Sequence, residues 1–149
     1  MIMLIHLHQS DCVTAKAIYE LQRLSYQVEA ELIDYRDLPP LKETIADIQK
    51  SSEVFFGWKV GEELVGALSY QETESILIIC RLIVHPANFQ LGIASNLISG
   101  LLEKRSKPVH VCTAAKNTPA VRLYQKWGFE ITKTFTTKDG LLLVQLQTK

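Results

Sequence analysis

The run Leu82-Ile-Val-His-Pro-Ala-Asn-Phe-Gln-Leu-Gly-Ile-Ala-Ser-Asn-Leu97 carries the strongest chemical signal in the sequence. Its apolar start reads as a strand, and its Gly-containing loop leads into apolar residues that recur with helical spacing. A helix start presents free backbone N–H groups and the positive end of the helix dipole, which together hold an anion such as a phosphate. Gly92 and Ala94 are small enough to let that anion approach the backbone. A plain turn relieved by a glycine would look the same in isolation. The loop has neither the lysine of G-x-x-x-x-G-K-S/T nor the three glycines of G-x-G-x-x-G, which argues against the common nucleotide-binding domains.

Other reactive residues give weaker signals. Cys12, Cys80 and Cys112 are odd in number and far apart, so they form neither a disulfide ladder nor a C-x-x-C pair, and a reducing cytoplasm fits them. Cys80 and Cys112 fall on inferred central strands and read as small buried apolar residues rather than nucleophiles. His6 and His8 share one face of a strand, but H-x-H with no further ligand in register is not a metal site, and no metal is expected. His85 belongs to the loop motif and His110 to a strand. Sixteen basic and sixteen acidic residues give zero net charge, which disfavours nucleic acid and anionic membranes as partners. The apolar runs fall far short of the roughly 20 residues that span a bilayer.

A chain of 149 residues with 47% hydrophobic content suits a single domain over 1–149 with one ordinary core. Met1 to His8 reads as a strand. Ser10-Asp11 caps a helix whose apolar residues are Val13, Ala17, Ile18, Leu21 and Leu24. A mixed linker, Leu32 to Leu38, and a second short helix after Pro40, with Leu41, Ile45 and Ile48 on one side, follow. Val54–Val60 and Leu64–Tyr70 form a hairpin around Gly61-Glu62, and Ser75–Val84 adds a nearly all-apolar central strand. Ile93, Leu97, Ile98 and Leu101 outline a helix, and Pro108–Cys112 is a short strand. Thr118-Pro119 starts a helix that Gly128 closes, and strands Ile131–Thr136 and Leu141–Gln147 finish the chain. The fold class is mixed α/β with about seven strands in one central sheet flanked by helices, in the order β-α-α-β-β-β-α-β-α-β-β.

Two spaced signatures and this element order resemble the GCN5-related N-acetyltransferase (GNAT) superfamily. The first is Val84-His85-Pro86 followed by Gly92-Ile93-Ala94, and the second is Asn117-Thr-Pro-Ala-Val-Arg-Leu-Tyr-Gln-Lys-Trp-Gly-Phe129, similar to Asn-x-x-Ala-x-x-x-Tyr-x-x-x-Gly-Phe. The resemblance covers essentially the whole chain and implies the GNAT fold with acetyl-CoA as co-substrate. It places the pyrophosphate on the backbone of Gln90, Leu91, Gly92, Ile93, Ala94 and Ser95. It places the pantetheine and acetyl carbonyl along Leu82, Ile83 and Val84, with Asn117 and Tyr124 also at the cofactor. Where the family carries Arg or Gln, three residues before Gly92, this chain has Phe89, and Gln90 comes one place later.

The resemblance implies direct acetyl transfer to a primary amine of a small molecule or peptide, without an acetyl-enzyme. Tyr124 is then the general acid toward the departing thiolate. Arg122 and Lys126 either meet the 3'-phosphate or form a solvated helix face. An amine of pKa about 10.4 is almost wholly protonated at pH 7, so a base is needed. Ile76 to Cys80 holds no carboxylate, which leaves Glu72, Glu74, Glu29, Glu31, Asp34 and Tyr35 as alternatives. The linker around Tyr35 to Leu38, the second helix and the hairpins are expected to form the acceptor site, and a homodimer is allowed. The rival reading is a CoA-binding sensor or interaction module without turnover.

Overall fold

The computed structural model describes residues 4–89 and 91–149, so Met1–Met3 of the inferred first strand lie outside the described residues. Strands β1 (Leu4–Leu7), β2 (Val54–Val60), β3 (Glu63–Glu72), β4 (Leu77–Val84), β5 (Val109–Ala114), β6 (Glu130–Thr136) and β7 (Leu142–Gln147) form one sheet. Its order is β1-β2-β3-β4-β5-β7-β6. Only β4 and β5 run parallel, joined by a crossover through helix α3 (Ile93–Lys104); the other neighbours are antiparallel. The expected class and element order are those observed.

Two apolar clusters cover the sheet. Leu97, Ile98 and Leu101 of α3 pack with Leu68, Ile79, Val111 and Leu146, and Tyr124 of helix α4 (Thr118–Lys126) joins them. Ala15, Ile18 and Leu21 of α1 (Cys12–Ile33) and Ile48 of α2 (Ile45–Lys50) pack with Phe55, Ala67 and Ile83. Gly66 permits the close seat of α3, because a Cβ there would lie 2.5 Å from a methyl of Ile93.

Several local expectations are corrected. Asp11 caps α1 as read, accepting from the Thr14 N–H at 3.1 Å, but Val13 and Leu24 are 77% and 42% exposed. The helix turns Ala15, Gln22, Ala30 and Ile33 inward instead, and it extends through Ile33, so Leu32 belongs to it and not to the linker. The single helix expected after Pro40 is a 3-10 turn, Pro39–Lys42, followed by α2. Thr44 and Asp47 cap each other's backbone and so start α2 afresh. Asn117, one residue before the expected Thr118, caps α4 by accepting from the Ala120 N–H.

Candidate active site

The crossover leaves a gap in the sheet. β4 and β5 pair only from Leu77 with Val109 to Ile79 with Val111, and then they part while β5 stays on β7 as far as Ala114 with Leu143. At the parting point Ser69 faces Arg81 and Tyr70 faces Ile79, so Cys80 is an unpaired bulge on β4. The Val84 N–H turns into the gap and donates to Ser25 Oγ of α1 at 3.2 Å, whereas the next N–H, of His85, donates back to Val65 O at 2.8 Å. Successive N–H groups of a strand alternate sides, so the Leu82 N–H shares the direction of Val84 and that of Ile83 faces β3.

Two cavities open on this gap. The larger, about 620 Å³, runs from the face of α1 carrying Ser25, Val28, Glu29 and Leu32 to the start of α3. Gly92 caps α3 at φ 77°, a left-handed conformation suited to glycine, and among the described residues no side chain caps the helix. The first N–H groups of α3 are therefore open to a ligand. The smaller cavity, about 200 Å³, lies between α1, β4, β5 and β7. Tyr26, Glu29, Leu82, Asn117 and Ala120 line both, so the two meet there.

Glu29 sits at that junction. Its Oε1 accepts from Asn117 Nδ2 at 2.7 Å, so the residue that caps α4 also orients the carboxylate. Burial raises the Glu29 carboxyl above the ordinary carboxylate value, and the Asn117 bond offsets only part of that rise. Tyr124 is 4% exposed and packs on Phe129 with ring centroids 5.2 Å apart. Burial, and then the charge of Glu29, hold its hydroxyl above the usual phenol value. The ring lines the smaller cavity.

The sequence expectation for the cysteines is corrected. Cys80 and Cys112 are exposed, because the bulge and the parting strands open the sheet beside them. Partial desolvation keeps both thiols protonated, Cys80 up to about 11, which makes them poor nucleophiles at neutral pH. Arg81, next to Cys80, is 7% exposed and is held by Glu43 and Glu53 at 2.7 and 2.9 Å. Burial alone would weaken its charge, but the two carboxylates raise its pKa instead.

A family model described as an acetyltransferase (GNAT) domain matches residues 20–149. The chain belongs to the GNAT acetyltransferase family. UPF0157 protein YqkA of Bacillus subtilis (strain 168) is 37% identical over 139 residues, which are 92% of this chain and 40% of that protein. The chain thus spans about two fifths of the length of that curated relative. The ribosomal-protein-S18-alanine N-acetyltransferase from Escherichia coli has a TM-score of 0.75 at 17% identity, over 99% of this chain and 93% of its own. The PaiA N-acetyltransferase from Thermoplasma acidophilum, solved with coenzyme A, has a TM-score of 0.77 at 16% identity, over 100% and 99%. These two share the fold.

In this GNAT chain the larger cavity gathers Leu82, Val84, Gly92, Ile93, Ala94, Ser95 and Asn117 from the cofactor residues expected by sequence. Tyr124 lines the smaller cavity, the Ile83 side chain is fully buried against α1, and Leu91 is 66% exposed outside both. Gln90 lies outside the described residues. Phe89 lines the larger cavity where the family carries Arg or Gln. Of the carboxylates weighed as bases, Glu72 pairs with Lys107 at 2.6 Å, Asp34 caps α1, and Glu31 and Glu74 are exposed. Tyr35 is committed to donating to Asp139, which ties the linker to the β6–β7 turn.

α2 and the β2–β3 hairpin, expected at the acceptor site, do not line the smaller cavity, whereas Leu38 of the linker does. Helix α1 walls the larger cavity, and of its residues there sequence reasoning weighed only Glu29. Its residues 25, 28, 29 and 32 follow the i, i+3, i+4, i+7 spacing of a single helix face, and Val28 and Leu32 are exposed apolar residues on it.

Proposed function

We propose that this chain transfers the acetyl group of acetyl-CoA directly to the nitrogen of a primary amine. The observation that carries this reading is the meeting of the two cavities at Glu29, Leu82 and Asn117, at the point where β4 and β5 part. The larger cavity fits the co-substrate because it ends on a helix start that no described side chain caps, a feature suited to a pyrophosphate. Bound there, acetyl-CoA supplies the activated thioester.

The chain's own groups do the rest. Glu29 accepts a proton from the amine at the junction, and its raised pKa brings it nearer to working pH than an ordinary carboxylate. The Leu82 N–H, turned into the gap, donates to the carbonyl oxygen as charge develops on it. Tyr124 donates its hydroxyl proton toward the departing sulfur. The N–H groups of Ile93 to Ser95 hold the phosphates.

The first test is release of free CoA thiol from acetyl-CoA in the presence of a primary-amine panel. CoA binding without turnover on any amine would favour the sensor reading. Gly92→Glu places a carboxylate at the helix start in a left-handed backbone position, so CoA affinity measured by calorimetry should fall at least 10-fold. Unchanged affinity in a folded variant would move the phosphate site elsewhere. Tyr124→Phe keeps the packing on Phe129 and removes the proton. The expected result is a loss of about 100-fold in kcat with little change in KM, measured where chemistry limits the rate.

A further inference from the structure

The smaller cavity has charged residues of two kinds on its wall, Glu29 and Arg81, and Arg81 is fully engaged. Its Nε donates to Glu53 Oε1 at 2.9 Å, and Nη1 donates to Gln22 Oε1 and to Glu43 Oε1, both at 2.7 Å. Nη2 donates to Glu43 Oε2 at 3.0 Å and to Glu53 Oε2 at 3.2 Å. A guanidinium has five N–H donors in a fixed fork, and here each has a protein acceptor. Gln22 is locked as well, giving its amide to Pro40 O at 2.8 Å and Glu43 Oε1 at 2.9 Å. The arginine that could have clamped an acceptor's carboxylate has no donor left for it.

The formal charges point the same way. Arg81 offsets one of Glu43 and Glu53 behind it, the other remains, Glu29 adds its own, and Lys133 beside Cys112 offsets one more, so the formal sum around the cavity stays negative. Ile33, Leu38, Ile79, Leu141 and Leu143 give the rest of the wall an apolar side, beside the polar groups of Tyr26, Thr113, Asn117 and Tyr124. A dry cavity of about 150 Å³ holds a benzene ring. One of about 200 Å³ has room for a ring or short alkyl body plus an amine, with the amine at the Glu29 end.

Resting on the acetyl-transfer reading above, we propose that the acceptor is a compact primary amine with an apolar body and no carboxylate, selected against amino acids by an arginine whose donors are all occupied. The cation is drawn by the negative field, the apolar body is desolvated by the leucines and isoleucines, and an acceptor carboxylate meets repulsion without compensation.

The test compares 2-phenylethylamine with L-phenylalanine, which differ by one carboxylate, following free CoA thiol and, by calorimetry, amine binding to the CoA-loaded protein. The expected kcat/KM ratio favours 2-phenylethylamine by about 100-fold or more. Glu43→Ala, which frees two Arg81 N–H groups, should reduce that ratio at least 10-fold. Equal use of the two amines by the wild type would overturn the assignment and leave acetyl transfer standing. So would an unchanged ratio in a folded Glu43→Ala variant. Binding of 2-phenylethylamine but not phenylalanine, with no turnover of any amine, would uphold the cavity assignment and sink acetyl transfer. No binding of 2-phenylethylamine would overturn the assignment outright.

Discussion

Arg81→Leu should lower stability by about 3–5 kcal/mol, the usual result of removing one partner from a buried charge pair. Glu53 and Glu43, with side chains 15% and 25% exposed, would keep their charges and lose the group that compensates them. At roughly 2–4 °C per kcal/mol for a chain of this size, Tm at pH 7 should fall by about 10 °C. The loss should depend on pH. In the wild type, burial would raise Glu53, but the Arg81 and Ser69 hydrogen bonds outweigh it and hold the carboxyl below its ordinary value. A depressed carboxyl contributes stability above the unfolded value of about 4.3 and loses it as pH falls through the folded value. Without Arg81, burial dominates and the sign reverses, so the gap between variant and wild type should narrow as pH approaches 4. Arg81→Met combined with Glu43→Gln and Glu53→Gln should recover part of the loss, because it removes the charges and leaves acceptors for Ser69 and Gln22. Thermal melts at pH 7 and pH 4.5 check this, and a single variant within 2 °C of wild type at both values would remove the network from the stability account.

This arginine also shows what the sequence made legible and what it did not. The loop into α3 could be read because a backbone anion site needs only a glycine and a change to helical period, both local. Tyr124 and Asn117 came from a spaced signature. Arg81 stood within an apolar strand run from Leu77 to Val84, and a charge there demands partners, but those partners lie 28, 38 and 59 residues away. The bulge at Cys80 has no periodic trace, since one extra residue shifts the register only once β3 is laid beside β4. For the same reason Cys80 looked buried, and Cys112 did because the parting of β5 from β4 after Val111 leaves no local trace either. The long reach of α1 was hidden because the residues after Leu24 on its cavity face pack against a ligand space and not against the core.

The second large effect concerns Glu29, whose Asn117 partner is 88 residues away and which therefore looked no different from five other candidates. Glu29→Gln keeps the Oε1 acceptor for Asn117 and removes the base, so kcat should fall by about 100- to 1,000-fold while CoA affinity holds. The wild-type kcat/KM profile should show an acid limb above the ordinary carboxylate value of about 4.3, because burial raises this group, and the variant should lack that limb. Stability should move the opposite way. A carboxyl whose folded pKa is raised contributes stability below its unfolded value and loses it as pH rises through the folded value, so at neutral pH charged Glu29 costs the fold. The variant should therefore melt above wild type at pH 8, with the difference shrinking toward pH 4. A residue that merely supports the fold would lose activity and stability together, whereas a base held at the expense of stability separates them. Wild-type kcat in Glu29→Gln would leave the amine proton to solvent, since no other carboxylate lines either cavity among the described residues.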